Sequence, residues 1–218
     1  MSNPDSFIQE VTEEVRRDRL YGYVRRYGWI AVLLVLLVVG GAAFNEWRKA
    51  RAEAEAQAFG DAVLEALGTG TPEARRAALA GIDAAGARSG ILALLQAAEA
   101  QRAGDREAAL AAFAAVEADN ALPQSYRQLA ALKRVMLAGA ELPNDERQAV
   151  LSGLAQPDMP FRPLAMEQLA LLRIEAGETA AALEILRDIL DEPEVTEDLR
   201  ARVRQVMVAL GGDPAAAG

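Results

Sequence analysis

Side chains able to do covalent or acid–base chemistry are scarce in this chain. Its 218 residues include no histidine and no cysteine, which removes the Ser-His-Asp triad, the cysteine nucleophile, disulfides, haem attachment and the usual zinc sites. Lysine occurs only at Lys49 and Lys133, so acid–base work would fall to carboxylates alone. The acidic pairs Asp188 with Asp191 or Glu192 have the helical spacing of an exposed face and read as solvated surface. The stretch Gly68-Thr69-Gly70-Thr71-Pro72 lacks the third glycine and the lysine of a phosphate-binding loop. Thr71 with Pro72 reads instead as a helix start. No catalytic, cofactor-binding or metal-binding residue is expected, and the chain is read as a non-enzyme without a cofactor or small-molecule substrate. A net charge of −9 and an isoelectric point near 4.7 also exclude a nucleic-acid partner, whose phosphates draw affinity from clustered lysine and arginine.

The elements that remain are helices. Alanine supplies 47 residues and proline 9, and β-branched and aromatic residues are sparse outside one segment, which predicts an all-α fold. With 52% hydrophobic and 25% charged residues the chain is neither disordered by composition nor polytopic.

The exceptional segment is Tyr27 to Asn45, which carries no charge and whose centre runs Trp29-Ile30-Ala31-Val32-Leu33-Leu34-Val35-Leu36-Leu37-Val38-Val39. At about 1.5 Å per residue a helix of this length covers close to ~30 Å, the thickness of a bilayer's hydrocarbon layer. A buried core helix would need a polar face, which is missing here. A cleaved signal peptide would suit Gly41 and Ala43, but the preceding 26 residues, with Asp5, Glu10, Glu13, Glu14 and Asp18, are too long and too mixed for its leading region. Arg16, Arg17, Arg19, Arg25 and Arg26 precede the segment, whereas Arg48, Lys49 and Arg51 follow it diluted by Glu46, Glu53 and Glu55. The positive-inside rule then places the N-terminus in the cytoplasm. Tyr27, Trp29, Phe44 and Trp47 bracket the apolar run as interfacial membrane anchors. In a Gram-negative cell the remainder would lie in the periplasm, an oxidising space that the absence of cysteine fits. Upstream, Ser6 with Gln9 forms a capping box and Phe7, Val11 and Val15 form one apolar stripe. That stripe lies on the inner membrane surface, docks on a partner, or continues the spanning helix downward.

Beyond the membrane segment, Arg48 to Phe59 reads as a solvated helical stalk of alternating charge. Helical stretches then alternate with glycines at Gly68 and Gly70, Gly104, Gly139, Gly177, and Gly211 with Gly212, at intervals typical of stacked helix-turn-helix repeats. Two units register residue by residue. Ala97, Gly104, Ala109 and Phe113 correspond to Leu169-Ala170, Gly177, Ala182 and Leu186, and Pro123 and Pro193 close the two units. A small residue is needed where helices cross closely, a large apolar one fills the gap beside it, and glycine makes the turn. The segments Ser89 to Pro123 and Pro163 to Pro193 thereby resemble the tetratricopeptide pattern. The unit between them departs from it, with Leu132 at a small-residue position and Asn144 at an alanine position. There Tyr126, Leu129, Leu132 and Met136 share one stripe, and Asn144 after Pro143 reads as an N-cap. Pro157, Pro160 and Pro163 force a non-helical connection around Phe161, and Thr196 to Leu210 supplies a last helix that caps the stack.

The predicted organisation is a cytoplasmic amphipathic and basic segment (1–26), a transmembrane helix (27–45), a helical stalk (46–60), a tetratricopeptide-like helix-turn-helix repeat solenoid (61–212) and a flexible tail (213–218). The whole arrangement resembles the ancillary subunit of the bacterial Sec translocon. Arg25-Arg26-Tyr27-Gly28-Trp29 before the apolar run, Phe44 and Trp47 after it, and the repeat glycines Gly104 and Gly177 carry that resemblance. It implies a single-pass inner-membrane protein whose periplasmic repeats bind the Sec translocon, periplasmic chaperones and exported polypeptides, with a role in translocation or chaperone hand-over. The alternative is a periplasmic scaffold for cell-envelope or division complexes. In tetratricopeptide stacks the first helix of each pair lines the concave face. Here that would present Leu94, Gln101 and Arg102 from one unit and Glu167, Leu171 and Glu175 from another as a protein-binding groove.

Overall fold

The computed structural model describes the backbone of residues 4–193 and 195–213, with side chains from residue 25 onward apart from Ala31. The chain is all-α, with nine α-helices, one short 3-10 turn and no strand among the described residues. Alanine, leucine, glutamate and arginine, which dominate the sequence, lose little side-chain freedom in a helix. Two compact units divide between Asp61 and Ala62.

The first unit is built on α1 (Pro4–Leu67), one unbroken helix of 64 residues. It begins two residues before Ser6, so Ser6 lies inside the helix and the expected capping box does not start it. The stretch expected as a separate stalk is part of the same helix, which passes Gly60 and ends at Leu67. Gly68 N then donates to Leu64 O at 3.0 Å to close the last turn. From Arg25 onward α1 is long and apolar enough to cross a membrane. Ile30 and the described valines and leucines through Val39 are all exposed. The Phe7, Val11 and Val15 stripe lies outside the described side chains, as does the backbone of 214–218.

In the second unit, α2 (Pro72–Ala80) starts as the sequence predicts. Thr71 Oγ1 accepts from Ala74 N at 3.2 Å and Pro72 occupies the first turn, where its missing donor costs nothing. There follow α3 (Ala87–Arg102), α4 (Arg106–Ala118), α5 (Gln124–Ala138), α6 (Asn144–Leu154), α7 (Arg162–Glu175), α8 (Thr179–Asp191) and α9 (Glu197–Ala209). Each packs on the next, and α3 also reaches α5.

The turns explain the hairpins. Gly104 and Gly177 hold φ of +79° and +76°, which lets Asp105 N reach Ala100 O and Glu178 N reach Arg173 O, both at 2.9 Å. Only a residue without a Cβ takes this left-handed cap cheaply, and α4 and α8 restart two residues later. In α4 the fourth, eighth and eleventh residues are Ala109, Phe113 and Val116; in α8 they are Ala182, Leu186 and Ile189, and all six are buried. Across the turn, Ala97 and Ala170 are buried as expected.

The middle pair corrects the sequence register. After Gly139 a 3-10 turn, Gly139–Glu141, and Pro143 delay α6 until Asn144, five residues beyond the glycine instead of two. Asn144 is therefore the exposed first residue of α6, makes no cap hydrogen bond, and does not stand at the alanine position. Counted from the helix start, the fourth, eighth and eleventh residues are Arg147, Leu151 and Leu154, again all buried. The hairpin obeys the common pattern with arginine where its neighbours have alanine. The core forms three clusters along the chain. Phe113 and Val116 centre the first, Leu132 and Leu151 the second, and Leu186, Ile189, Val203 and Met207 the last. α9 closes the series, capped by Thr196 Oγ1 accepting from Leu199 N at 3.4 Å.

Candidate protein-binding surface

The two predicted groove trios lie on α3 and α7, in different hairpins. On α3, Leu94 is half-buried against the Phe113 cluster, while Gln101 and Arg102 are exposed. Arg102 is committed inward, because its Nη1 donates to Glu99. Glu99 is 1% exposed and also accepts from Arg75 Nε of α2 at 2.7 Å. Burial pushes its carboxyl pKa up, but hydrogen bonds from Arg75 and Arg102 and their charges outweigh that and hold it below the usual glutamate value. A carboxylate with two arginines survives burial where a lone one would not.

On α7, Glu167, Leu171 and Glu175 share one face, four residues apart. Both acidic groups are engaged with neighbouring helices. Glu167 accepts a two-pronged contact from Arg202 Nε and Nη2 of α9, each at 2.9 Å. Glu175 Oε2 accepts from Arg147 Nη2 of α6 at 2.6 Å. Leu171 stays exposed, and Leu164, one heptad before it, is exposed too. What α7 offers a partner is thus a short apolar strip edged by neutralised ion pairs.

Arginine–carboxylate pairs recur from helix to helix. Arg76 meets Asp105 at 2.8 Å, Arg106 meets Glu141 at 3.1 Å, Arg134 meets Glu117 at 2.6 Å and Glu146 at 3.0 Å, and Arg162 meets Glu192 at 2.8 Å. The planar guanidinium fork suits such bridging better than an ammonium does. Glu192 is thereby tied down, and its acidic neighbours Asp188 and Asp191 are exposed on α8. Among the described residues no three histidine, cysteine or acidic side chains converge to hold a metal ion.

Two concavities flank these elements. One, of about 730 Å³, lies between α2, α3 and the start of α4, with Glu73, Arg76, Gln96 and Asp105 in its wall. The other, about 360 Å³, opens between the first half of α5 and the second half of α6, with Gln124, Arg127, Gln128, Val150, Gly153 and Leu154 among its lining. In the first unit Tyr27, Trp29, Phe44 and Trp47 are exposed. Phe44 and Trp47 stack tilted at 5.9 Å between ring centroids, and the Arg51 guanidinium lies 5.8 Å from the Trp47 ring.

Sequence reasoning missed Glu99, Arg147 and Arg127. Counting from helix starts instead of glycines would have found Arg147, and Arg102 three residues after Glu99 marks a helical pair there, whereas Arg127 carries no local signal. No protein-family model, no curated protein and no solved structure matches the chain.

Proposed function

We propose that the chain is a membrane-anchored protein-interaction module at the periplasmic face of a bacterial inner membrane, linking the Sec translocon to periplasmic chaperones or exported chains. In this reading α1 crosses the bilayer once with its N-terminus in the cytoplasm, and the second unit is a tetratricopeptide-like solenoid. The observation that carries it is the pairing of two features in one chain. One is an uncharged stretch of α1 in which Ile30 and the residues from Val32 to Val39 are exposed. The other is a run of helical hairpins with buried positions in common register. Exposed leucines and valines over such a length are unfavourable in water and favoured in lipid. Stacked hairpins build extended surfaces suited to polypeptides, and tethering raises the effective concentration of a weak site near its source of chains. Resemblance to the ancillary translocon subunit supplies the identity of the partners.

The test is photocrosslinking in cells from a probe placed at Leu171 or Gln101 of the full chain. Recovery of translocon subunits, chaperones or exported polypeptides is expected. Recovery of division or wall-synthesis proteins in their place would overturn this reading in favour of an assembly scaffold.

A further inference from the structure

Where α1 leaves its uncharged stretch, aromatic and cationic side chains share one face. Phe44, Trp47, Arg48 and Arg51 follow the i, i+3, i+4, i+7 spacing that a helix brings to one side, and all four are exposed. At about 100° per residue, Glu46 and Glu53 stand roughly 140–160° around the axis from both arginines. The glutamates that dilute the positive charge along the sequence therefore lie, apart from Glu55, on the far side of the helix.

The arginines of this face are less committed than those of the second unit. There Arg76, Arg134 and Arg202 are each paired with a carboxylate of another element. The Arg48 side chain has no carboxylate partner among the described residues. Arg51 lies 5.8 Å from the Trp47 ring, and its Nε donates to Glu55 Oε1 at 3.0 Å. That pair is 66% and 55% exposed, so water and salt weaken it. Two guanidiniums thus stand one turn beyond an apolar run, beside two aromatic rings. An anion that meets both must sit at the depth where apolar surface gives way to charge, which is the position of a phospholipid phosphate.

We propose that this face is a docking surface for anionic phospholipid headgroups, with Arg48 and Arg51 on phosphate oxygens and the Phe44 and Trp47 rings against the upper acyl chain. It rests on the reading that α1 crosses a bilayer, in which this end emerges from the outer leaflet of the inner membrane. A planar guanidinium fork matches phosphate geometry. A zwitterionic headgroup carries its own cation beside the phosphate, whereas an anionic one leaves that charge to the arginines. Each cation close to an anionic membrane surface contributes about fivefold in preference.

The test uses the full chain with Trp29→Phe, which leaves Trp47 as its one tryptophan. It is reconstituted in vesicles of phosphatidylcholine and phosphatidylglycerol, with bromine placed near the headgroup end of the acyl chains of one lipid or the other. Quenching of Trp47 fluorescence reads which lipid lies beside this face. Phosphatidylglycerol should be preferred by at least about fivefold, and less at high salt. Arg48→Gln combined with Arg51→Gln should bring the preference within about twofold of none. Glu55→Gln, which releases Arg51, should raise it, a gain that misfolding does not produce. Equal quenching by both lipids, or a preference unchanged in the double-glutamine variant, overturns the proposal and leaves α1 in the bilayer and the module reading standing. Equal quenching with a photocrosslink from position 48 to an acidic protein would assign the face to that partner instead. No quenching by either lipid would overturn the spanning reading and the proposal together.

Discussion

Replacing Glu175 with alanine should cost more stability than removing the arginine it binds, although Glu175 is the more exposed partner. The Arg147 side chain is 6% exposed and that of Glu175 53% exposed, with the charges 2.6 Å apart. Without Glu175 the buried guanidinium keeps only Asn144 Oδ1, at 3.5 Å. An uncompensated buried charge costs about 3–5 kcal/mol; water entering where Glu175 stood and partial withdrawal along the arginine stem reduce this to about 1–3 kcal/mol. Arg147→Met keeps an apolar stem in the same space and releases Glu175 to solvent, so its cost should lie within about 1 kcal/mol of zero. The double variant should resemble Arg147→Met alone, which makes the two changes strongly non-additive. Urea unfolding of a 51–212 fragment, followed by far-UV circular dichroism, reads the difference. With a slope of about 2 kcal/mol per molar, Glu175→Ala should lower the midpoint by roughly 0.5–1.5 M and Arg147→Met by less than about 0.5 M. If Arg147→Met proves the more damaging, the arginine contributes through its pairing and the desolvation argument fails.

Ala109→Trp or Ala182→Trp should destabilise by at least about 1–3 kcal/mol, since both alanines are fully buried at helix crossings, whereas Glu184→Gln on the exposed face of α8 should cost under about 0.5 kcal/mol; equal urea midpoints would refute the crossing assignment. Glu99 has a folded pKa below its ordinary 4.5, so its contribution is complete above that value and is lost as pH falls through the lower folded value. Unfolding midpoints at pH 6 and pH 3 should therefore differ less in Glu99→Gln than in the wild type, and an unchanged acid loss would place the titrating group elsewhere. A periplasm-active reporter should work when fused after Gly211 and fail when fused before Phe7, and activity at both positions would reject the single span.

Local chemistry was legible in the sequence wherever the backbone alone decides the outcome. Gly104 and Gly177 end their helices because a left-handed residue strongly favours the absence of a Cβ. Thr71 with Pro72 and Thr196 begin helices because their caps are made within three residues. The alanines at 97, 109, 170 and 182 announce close crossings by their size and spacing. The middle hairpin escaped that reading because glycine served as the ruler, and a 3-10 turn moved α6 three residues along without altering its inner face. Tertiary structure alone decided the fate of the charges. Arg75 reaches Glu99 across 24 residues, Arg147 reaches Glu175 across 28, and Arg202 reaches Glu167 across 35. Nothing near Glu167 or Glu175 in the chain distinguishes a solvated carboxylate from a paired one, and at Glu99 the nearby Arg102 announces a pair but not its burial. A charge's free energy depends on which opposite charge packing brings within about 4 Å and how much water packing removes, and both are set by helices distant in sequence.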